Sequence, residues 1–452
     1  MAEAQDVIDR PQENRTNPAG RHRRPGKLGT LLSKFAVVRD IAFVSFGKYG
    51  QYLITIVTLP LTARLLGAEG VGLLAIGMSA YFIGSLLVDL GITTFLAAMM
   101  NAQNVNQLRG NYLAVRGTIL TTMAVALGIS VAFDAHMHVH MIVLGLFAGG
   151  LSSSGEDWVL LGQGRFGIDV IYQSIGRIAY LGLLIVLLPR FPNASVAMSC
   201  LIISALIPVG LTWRRTLTDF GLPSRPKDIR AMLRLAGPVL SSRLLITSYG
   251  QGAATIYSGA LSAASLGLYS ASDRLIRALQ SLLDAIGFGL LPRLARDQDE
   301  SRFWRRSVEA LCACVIVAFV AALVLWVIAP YIIPLIFGHE FDAAASIMRV
   351  QAFILPFTAL TSFVTTAILP VRQDTKGVLI GAIIGFAFSI VAICVALMNR
   401  SVWSLVWGTF TCEVAVAAWY LLRLRILYSR ELTRRKWADY VTGYLNLQGE
   451  HR

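Results

Sequence analysis

The chain has 452 residues, of which 55% are apolar and only 15% charged, and 40 Lys and Arg residues outnumber 26 Asp and Glu residues. Soluble globular proteins have about 45–50% apolar and about 25% charged residues, so the composition excludes an ordinary soluble enzyme, and its hydrophobicity excludes a disordered chain. A nucleic-acid-binding protein would share the net charge of +14 but not the scarcity of charged residues. The composition therefore indicates a membrane protein, and nucleic acid is not an expected partner.

The N-terminal segment is polar and basic, with the run RHRRPGK at 21–27. A secretory signal peptide would need an apolar core, and the first 40 residues do not provide one. We therefore predict a disordered, basic cytoplasmic tail over 1–38.

Twelve apolar blocks of about 20 residues follow, which is the length that an α-helix needs to cross a hydrocarbon core of about 30 Å. We predict an all-α integral membrane protein with twelve transmembrane helices. The predicted spans are 41–63, 71–96, 113–133, 139–161, 168–189, 194–213, 236–258, 264–290, 309–329, 343–370, 377–398 and 402–422.

The spans divide into two groups of six. The prediction places an N-terminal six-helix lobe over 39–213, a cytoplasmic linker over 214–234, a C-terminal six-helix lobe over 235–422 and a basic cytoplasmic tail over 423–452.

Basic residues give the orientation, because Lys and Arg concentrate in the cytoplasmic loops of membrane proteins. With the N-terminus in the cytoplasm, 31 of the 40 Lys and Arg residues fall in cytoplasmic segments and three fall in outer loops, namely Arg64, Arg190 and Arg400. This imbalance favours an even number of spans with both termini in the cytoplasm.

An internal repeat relates the two halves at an offset of 195 residues. The matched pairs are Ala68 with Ala263, Gly72 with Gly267, Lys48 with Arg243 and Asp89 with Asp284. Because six spans is an even number, both halves enter the membrane in the same direction. The lobes should therefore be related by a pseudo-two-fold axis along the membrane normal, with a cavity between them.

Several charged residues lie inside the predicted spans. An ionisable side chain at mid-membrane costs about 2.5–3.5 kcal/mol on insertion scales, so it usually faces a cavity or a partner. We assign five cations to a lumen that binds an anionic substrate, and the arginine fork suits phosphate groups. These cations are Lys48, Arg177, Arg243, Arg274 and Arg277. For Lys48 and Arg243, anchoring by snorkelling to the inner surface remains an alternative.

A polar stripe runs along span eight, where Asp273, Arg277, Gln280 and Asp284 are spaced by four, three and four residues. That spacing places them on one face of a helix. The pair Asp273–Arg277 could instead be structural. Asp89, Asp273 and Asp284 are candidates to bind a proton or Na⁺ and couple transport, with helix-end capping or a structural ion pair as the alternative. No other cofactor is expected.

Three histidines, His136, His138 and His140, alternate along the chain before span four. On a strand they would share a face, but at a loop–helix junction the geometry for a metal ion is poor. We predict no metal site.

Short motifs give a family resemblance over most of 40–425. Residues 59–73 (LPLTARLLGAEGVGL), 87–92 (LVDLGI) and 266–275 (LGLYSASDRL) resemble conserved segments of the Wzx-type oligosaccharide flippases, the polysaccharide transporters of the multidrug/oligosaccharidyl-lipid/polysaccharide exporter superfamily. Residues 291–294 (LPRL) and the end of span four, with Trp158 and 161–164, also resemble that family. Asp89 and Arg274 match positions within these motifs.

The resemblance implies two lobes that alternate between inward-open and outward-open states in a bacterial inner membrane. It implies that the cargo is an undecaprenyl-pyrophosphate-linked oligosaccharide for exopolysaccharide, capsule or O-antigen (lipopolysaccharide) synthesis, flipped to the outer leaflet. Membrane lipids, a polysaccharide polymerase and chain-length proteins are then expected partners. The chain would not be an enzyme.

Three other functions remain open. A small-molecule or multidrug antiporter of the same superfamily would also have twelve spans, although a cationic lumen would repel cationic drugs. A membrane-embedded transferase would need loops that close over a donor, and the outer loops are short. A scaffold that transports nothing is the third. Peptidoglycan lipid flippases of the superfamily usually have fourteen spans and fit less well.

Overall fold

The computed structural model of the chain describes the backbone of residues 27–100, 104–295, 300–372 and 374–449, and side chains between 57 and 429 apart from 94, 101–103, 249, 282, 284–301 and 373. Every regular element within these ranges is helical. The α-helices are α1 (Lys27–Asp89), α2 (Thr93–Met99), α3 (Val105–Ala132), α4 (Met137–Ser152), α5 (Asp157–Gly162), α6 (Phe166–Leu187), α7 (Ala194–Phe220), α8 (Ile229–Tyr249), α9 (Ala253–Tyr257), α10 (Ala263–Ala295), α11 (Glu300–Phe337), α12 (Asp342–Ala352), α13 (Leu355–Phe363), α14 (Thr375–Asn399) and α15 (Val402–Gly449). A 3₁₀ turn, His339–Phe341, precedes α12, and a π turn, Val364–Ile368, follows α13.

The first predicted span and most of the second form the single long element α1, which is interrupted at Gly67, and the second span ends in α2. The 63 residues of α1 would measure about 95 Å as one straight helix, which is far more than one membrane crossing needs. Gly67 has φ 65° and ψ −177°, a left-handed conformation that glycine adopts without steric cost. The glycine therefore separates the first span from the second.

Eight described segments are long and apolar enough to cross a membrane, and a ninth results if His339–Ala352 and Leu355–Ile368, bent by 46°, form one crossing. Helices α8 and α10 also coincide with predicted spans, but they carry several charges. The all-α, multi-pass membrane fold predicted from the sequence is confirmed, whereas the number of twelve spans stays a prediction.

The two halves of the chain contact each other reciprocally. A Cβ added to Gly72 would lie 1.7 Å from the carbonyl oxygen of Ala263, and a Cβ added to Gly267 would lie 1.9 Å from the carbonyl oxygen of Ala68. The 195-residue offset pairs Gly72 with Gly267 and Ala68 with Ala263. When one contact is shifted by that offset it becomes the other, which is what a two-fold axis between the halves requires.

Apolar clusters join the halves at both ends of the bundle. We call the end with Gly67, Arg190 and Arg400 the outer end, following the predicted orientation. One cluster towards this end combines residues of the N-terminal half, including Leu74 and Met198, with residues of the C-terminal half, including Tyr257 and Leu405.

At the opposite, inner end, a second cluster contains Leu90, Tyr112 and Trp158 of the N-terminal half. Met232 and Ala236 of α8 are buried in the same cluster. The beginning of α8 therefore packs against the N-terminal half, although its residues belong to the predicted linker (to 234) and the predicted C-terminal lobe (from 235).

Helical backbone extends into three segments that were predicted as tails or linker. Helix α1 begins at Lys27, and α15 continues to Gly449. Helix α7 continues to Phe220 and α8 begins at Ile229, so residues 221–228 lie between helices. The rest of the N-terminal tail, residues 1–26, lies outside the described part of the chain.

Hydrogen bonds dock the segment 221–228 on the start of α3. The main-chain nitrogen of Ser224 donates to the Asn106 carbonyl oxygen at 3.0 Å, and the main-chain nitrogen of Lys227 donates to Asn111 Oδ1 at 2.8 Å. Gly110 permits the approach, because a Cβ there would lie 1.8 Å from the Ser224 carbonyl oxygen. The connection between the halves is thus held by the N-terminal half.

Candidate functional site

A polar cavity lies within the C-terminal half of the chain. Its empty volume is about 690 Å³, including the space at its mouth, and all of its lining residues come from residue 250 onward. The polar lining residues are Tyr257, Tyr269, Asp273, Arg277, Gln280, Gln351, Thr358, Ser389, Thr409, Cys412 and Glu413. The cavity is therefore lined by one half of the molecule alone, and the cavity that the sequence predicts between the lobes stays a prediction.

One arginine faces two carboxylates in this cavity. Arg277 Nε donates to Asp273 Oδ2 at 2.6 Å, one turn away on α10. Glu413 of α15 interacts electrostatically with the same guanidinium. With all three groups ionised, the charged residues of the lining carry a net charge of −1. In a low-dielectric interior an excess charge of this kind favours binding of a cation or a proton.

The polar stripe predicted on span eight does face one space. Asp273, Arg277 and Gln280 all line the cavity. Arg277 is paired with a carboxylate inside one half, so it does not add a free positive charge to a surface between the halves. The side chain of Asp284, the last residue of the stripe, lies outside the described residues.

Arg274 occupies a different position from its neighbour Arg277. It has no hydrogen bond or ion pair with any described side chain, and it interacts electrostatically with Tyr180 of α6, in the other half, and with the neighbouring Asp273. Arg177 lies one turn from Tyr180 and interacts with Tyr81 and Asp169. Arg177 and Arg274 each lie 11 residues, about 16 Å, from the start of their helix, which is near mid-membrane.

Arg243 is the remaining predicted cation whose side chain is described. Arg243 of α8 is exposed, and its Cδ would lie 2.8 Å from a Cβ added to Gly91. The Arg243 side chain therefore lies against Gly91, just beyond the end of α1. It has no ion-pair partner among the described side chains. The side chain of Lys48 lies outside the described residues.

Asp89 is held in a network of local contacts. Tyr112 Oη donates to the Asp89 carbonyl oxygen at 2.6 Å and lies 3.1 Å from Asp89 Oδ1. Thr93 also donates to Oδ1, and Arg116 Nη2 lies 3.8 Å from it. The contact with Arg116 matches the alternative of a structural ion pair, whereas the start of α2 has no side-chain cap.

A buried ion pair in the N-terminal half was missed from the sequence. Arg109 Nε contacts Glu156 Oε2 at 2.6 Å, with side-chain exposures of 0% and 3%. Arg109 Nη1 also donates to the Gly221 carbonyl oxygen at 2.8 Å. The charge count placed Arg109 and Arg116 in a cytoplasmic segment, although the predicted third span, 113–133, contains Arg116. Helix α3 begins at Val105, so both arginines lie within this helix. The seven-residue spacing of these two arginines was the signal available in the sequence.

The described residues contain no group of three His, Cys, Asp or Glu side chains arranged to hold a metal ion. The three neighbouring histidines have other partners. His138 Nδ1 lies 3.0 Å from the Ser258 carbonyl oxygen, His140 Nδ1 lies 3.3 Å from Ser130 Oγ, and His136 Nδ1 accepts from the His138 main chain.

Structural comparison finds two transporters with the same fold. The Lipid II flippase MurJ, in an inward closed conformation, aligns with a TM-score of 0.70 at 13% identity over 85% of this chain and 87% of that chain. An inward-facing multidrug resistance MATE family transporter of the MOP superfamily aligns with a TM-score of 0.57 at 13% identity, over 83% and 96% of the two chains. At this identity the comparison shows the fold alone.

No curated protein matches the chain significantly. The model of a family described as polysaccharide biosynthesis protein matches residues 61–346, which is more than half of the chain. This match confirms the resemblance seen in the sequence motifs. The chain is a multi-pass membrane protein with the fold of MOP-superfamily transporters, and it belongs to the polysaccharide biosynthesis protein family.

Proposed function

We propose that the chain moves a lipid-linked oligosaccharide, carried on undecaprenyl pyrophosphate, from the cytoplasmic to the outer leaflet of a bacterial inner membrane. The observation that carries the proposal is the match of the polysaccharide biosynthesis family model to residues 61–346, on a chain with a transporter fold. Both termini lie in the cytoplasm, and a polysaccharide polymerase and chain-length proteins act on the product outside.

The contacts between the halves support an alternating-access mechanism. The halves pack together at the outer end through an apolar cluster, and α8 packs against the N-terminal half at the inner end. Arg177 and Arg274 lie at mid-depth, and Arg274 faces the opposite half. Because a guanidinium can donate two parallel hydrogen bonds to a phosphate, we assign Arg274 to the pyrophosphate of the cargo.

We further propose that the cavity in the C-terminal half supplies coupling. Among the lining residues of the cavity, Asp273 and Glu413 are the anions and Arg277 is the cation, so one negative charge is available for a proton or Na⁺. Asp89 is a weaker candidate because it is already engaged with Tyr112 and Arg116. Transport by the Glu413→Gln variant should lose its dependence on the ion gradient.

A small-molecule antiporter is the second candidate. It is favoured by the same cavity, which lies within one half and carries a net negative charge, and by the shared fold with a multidrug resistance MATE family transporter. A cationic organic molecule would be the cargo in that case.

Reconstitution separates the two candidates. Proteoliposomes containing an undecaprenyl-pyrophosphate-linked oligosaccharide are treated with a membrane-impermeant glycosidase, and uptake of a cationic dye is followed in parallel. We expect the protein to make the inner-leaflet glycan accessible to the enzyme and to leave dye uptake at background. Dye uptake without glycan movement would contradict the proposal.

A charge reversal tests the role of Arg274. Arg274→Glu should reduce glycan movement at least tenfold, because it places a repelling charge at the pyrophosphate. The matched control is Arg349→Glu, since Arg349 lies on the exposed side of the bundle, where its Nε donates to the Trp326 carbonyl oxygen. Equal activity of the two folded variants would remove Arg274 from the site.

A further inference from the structure

Two short helix segments cross at the outer end of the bundle, one from each half. The first contains Ala68 and Gly72 in the second part of α1, and the second contains Ala263 and Gly267 in the first turns of α10. We call this contact the outer crossing. In both segments two small residues are separated by three others, the spacing that permits close packing of membrane helices.

Backbone approaches backbone at the outer crossing. The missing Cβ of Gly72 would lie 1.7 Å from the Ala263 carbonyl oxygen and 2.9 Å from the Gly267 nitrogen. The missing Cβ of Gly267 would lie 1.9 Å from the Ala68 carbonyl oxygen and 3.0 Å from the Gly72 nitrogen. Such contacts bring each glycine Cα within reach of a Cα–H···O interaction with the other half.

No side-chain rearrangement can make room for a methyl group here, because the obstructing atoms belong to the backbone. Cβ contacts under 3.0 Å are essentially never found, so an alanine at position 72 would displace the facing backbone by about 1.3 Å or more. The helices would have to separate.

Polar contacts close the same region. The main-chain nitrogen of Thr255 donates to Ser79 Oγ at 3.0 Å, and Thr255 Oγ1 donates to the Ile76 carbonyl oxygen at 3.0 Å. His138 and the Ser258 carbonyl oxygen make a further contact between the halves. All of these join the N-terminal half to the end of span seven.

We infer that the outer crossing is a reversible seal: an intramolecular small-residue helix pair that closes the outer end of the transporter and separates when the outward-open state forms. The inference rests on the proposed alternating-access function. It further assigns the position of the seal and the two glycines, Gly72 and Gly267, that let the two helix backbones approach each other. Adding a methyl group to either glycine shifts the protein toward the outward-open state.

Distance measurement between spin labels tests the seal without any cargo. Labels are attached at Arg190→Cys and Arg400→Cys, two exposed outer-loop positions in opposite halves, after the exposed Cys312 and Cys394 are replaced by alanine. Gly72→Ala and Gly267→Ala should each move the population to longer distances. Gly182→Ala is the matched control, because a Cβ at that helical glycine meets nothing within 4 Å. Unchanged distances in both folded glycine variants would overturn the inference.

A disulfide tests the same seal with the glycines intact, in case either variant fails to fold. Ser79→Cys and Thr255→Cys place two thiols across the contact. Oxidation should stop glycan movement, and reduction should restore it. Glycan movement that continues through a fully formed cross-link would overturn the seal. If no glycan moves in the reduced protein, the proposed cargo is wrong, and the label distances alone decide the inference.

Discussion

Charged side chains inside this bundle differ in how fully opposite charges neutralise them. Arg109 and Glu156 form a pair in which each charge has one opposite charge, and both are removed from water. Arg277 instead faces both Asp273 and Glu413. The first arrangement is what a structural contact requires. The second leaves a carboxylate available for another ligand, so the two pairs should respond differently to substitution.

Removal of one partner of the buried pair should destabilise the N-terminal half. Arg109→Met leaves Glu156 as an unpaired buried charge, and loss of one partner from such a pair costs about 3–5 kcal/mol. Thermal unfolding in detergent should show a clear fall in Tm. Arg305→Met is the control, since Arg305 and Glu309 form an exposed pair on the helix surface and this variant should unfold like the wild type.

The cavity cluster should behave non-additively. Arg277→Met brings two carboxylates into one low-dielectric site without a cation, so the variant should unfold at a lower temperature. Adding Glu413→Gln removes one of the two charges and should recover part of the loss, with a coupling of about 0.5–3 kcal/mol as found for residues in one network. Strictly additive losses would show that Glu413 and Arg277 do not share a site.

At the scale of helices, the sequence predicted where the helical spans lie better than where those spans are broken. Each of the twelve predicted spans coincides with described helical backbone, because a 20-residue apolar average detects membrane segments regardless of their packing. Breaks in spans two, four, seven and ten, such as the one between α8 and α9, were not predicted. They depend on local backbone bends that an average over a span conceals.

The polar site was predicted in part for the same reason. Helical spacing placed Asp273, Arg277 and Gln280 on one face, and they do line one cavity. Spacing within one helix carries no information about the neighbours of that face. The sequence therefore did not reveal that Glu413 shares the cavity, or that Arg274, one residue from Asp273, interacts with the other half.

The docking of residues 221–228 on the start of α3 can be tested directly. Gly110→Ala should push Ser224 away, because the added Cβ would lie 1.8 Å from its carbonyl oxygen. We expect faster tryptic cleavage after Lys227. Gly117→Ala, on the same helix with nothing within 4 Å of its Cβ, should be cleaved at the wild-type rate. Equal rates in the two variants would show that α3 does not hold the segment.

The whole molecule combines two uses of positive charge. Most of the 40 Lys and Arg residues lie in segments predicted to be cytoplasmic and account for the predicted orientation. Only a few lie inside the helices, where Arg274 interacts electrostatically with Tyr180 of the opposite half and with Asp273, and Arg277 pairs with Asp273 within its own half. The proposed transport function depends on this small group, on the cavity beside it and on two halves that separate at alternate ends.

The leaflet distribution of lipid-linked oligosaccharide in the native host tests the central claim most directly. In cells that lack the gene and any second member of the family, the intact units should remain on the cytoplasmic leaflet, protected from a glycosidase added to spheroplasts. The wild-type gene should restore cleavage, and the Arg274→Glu variant, present at the same level, should not. Normal exposure of the glycan in cells without the gene would contradict the account.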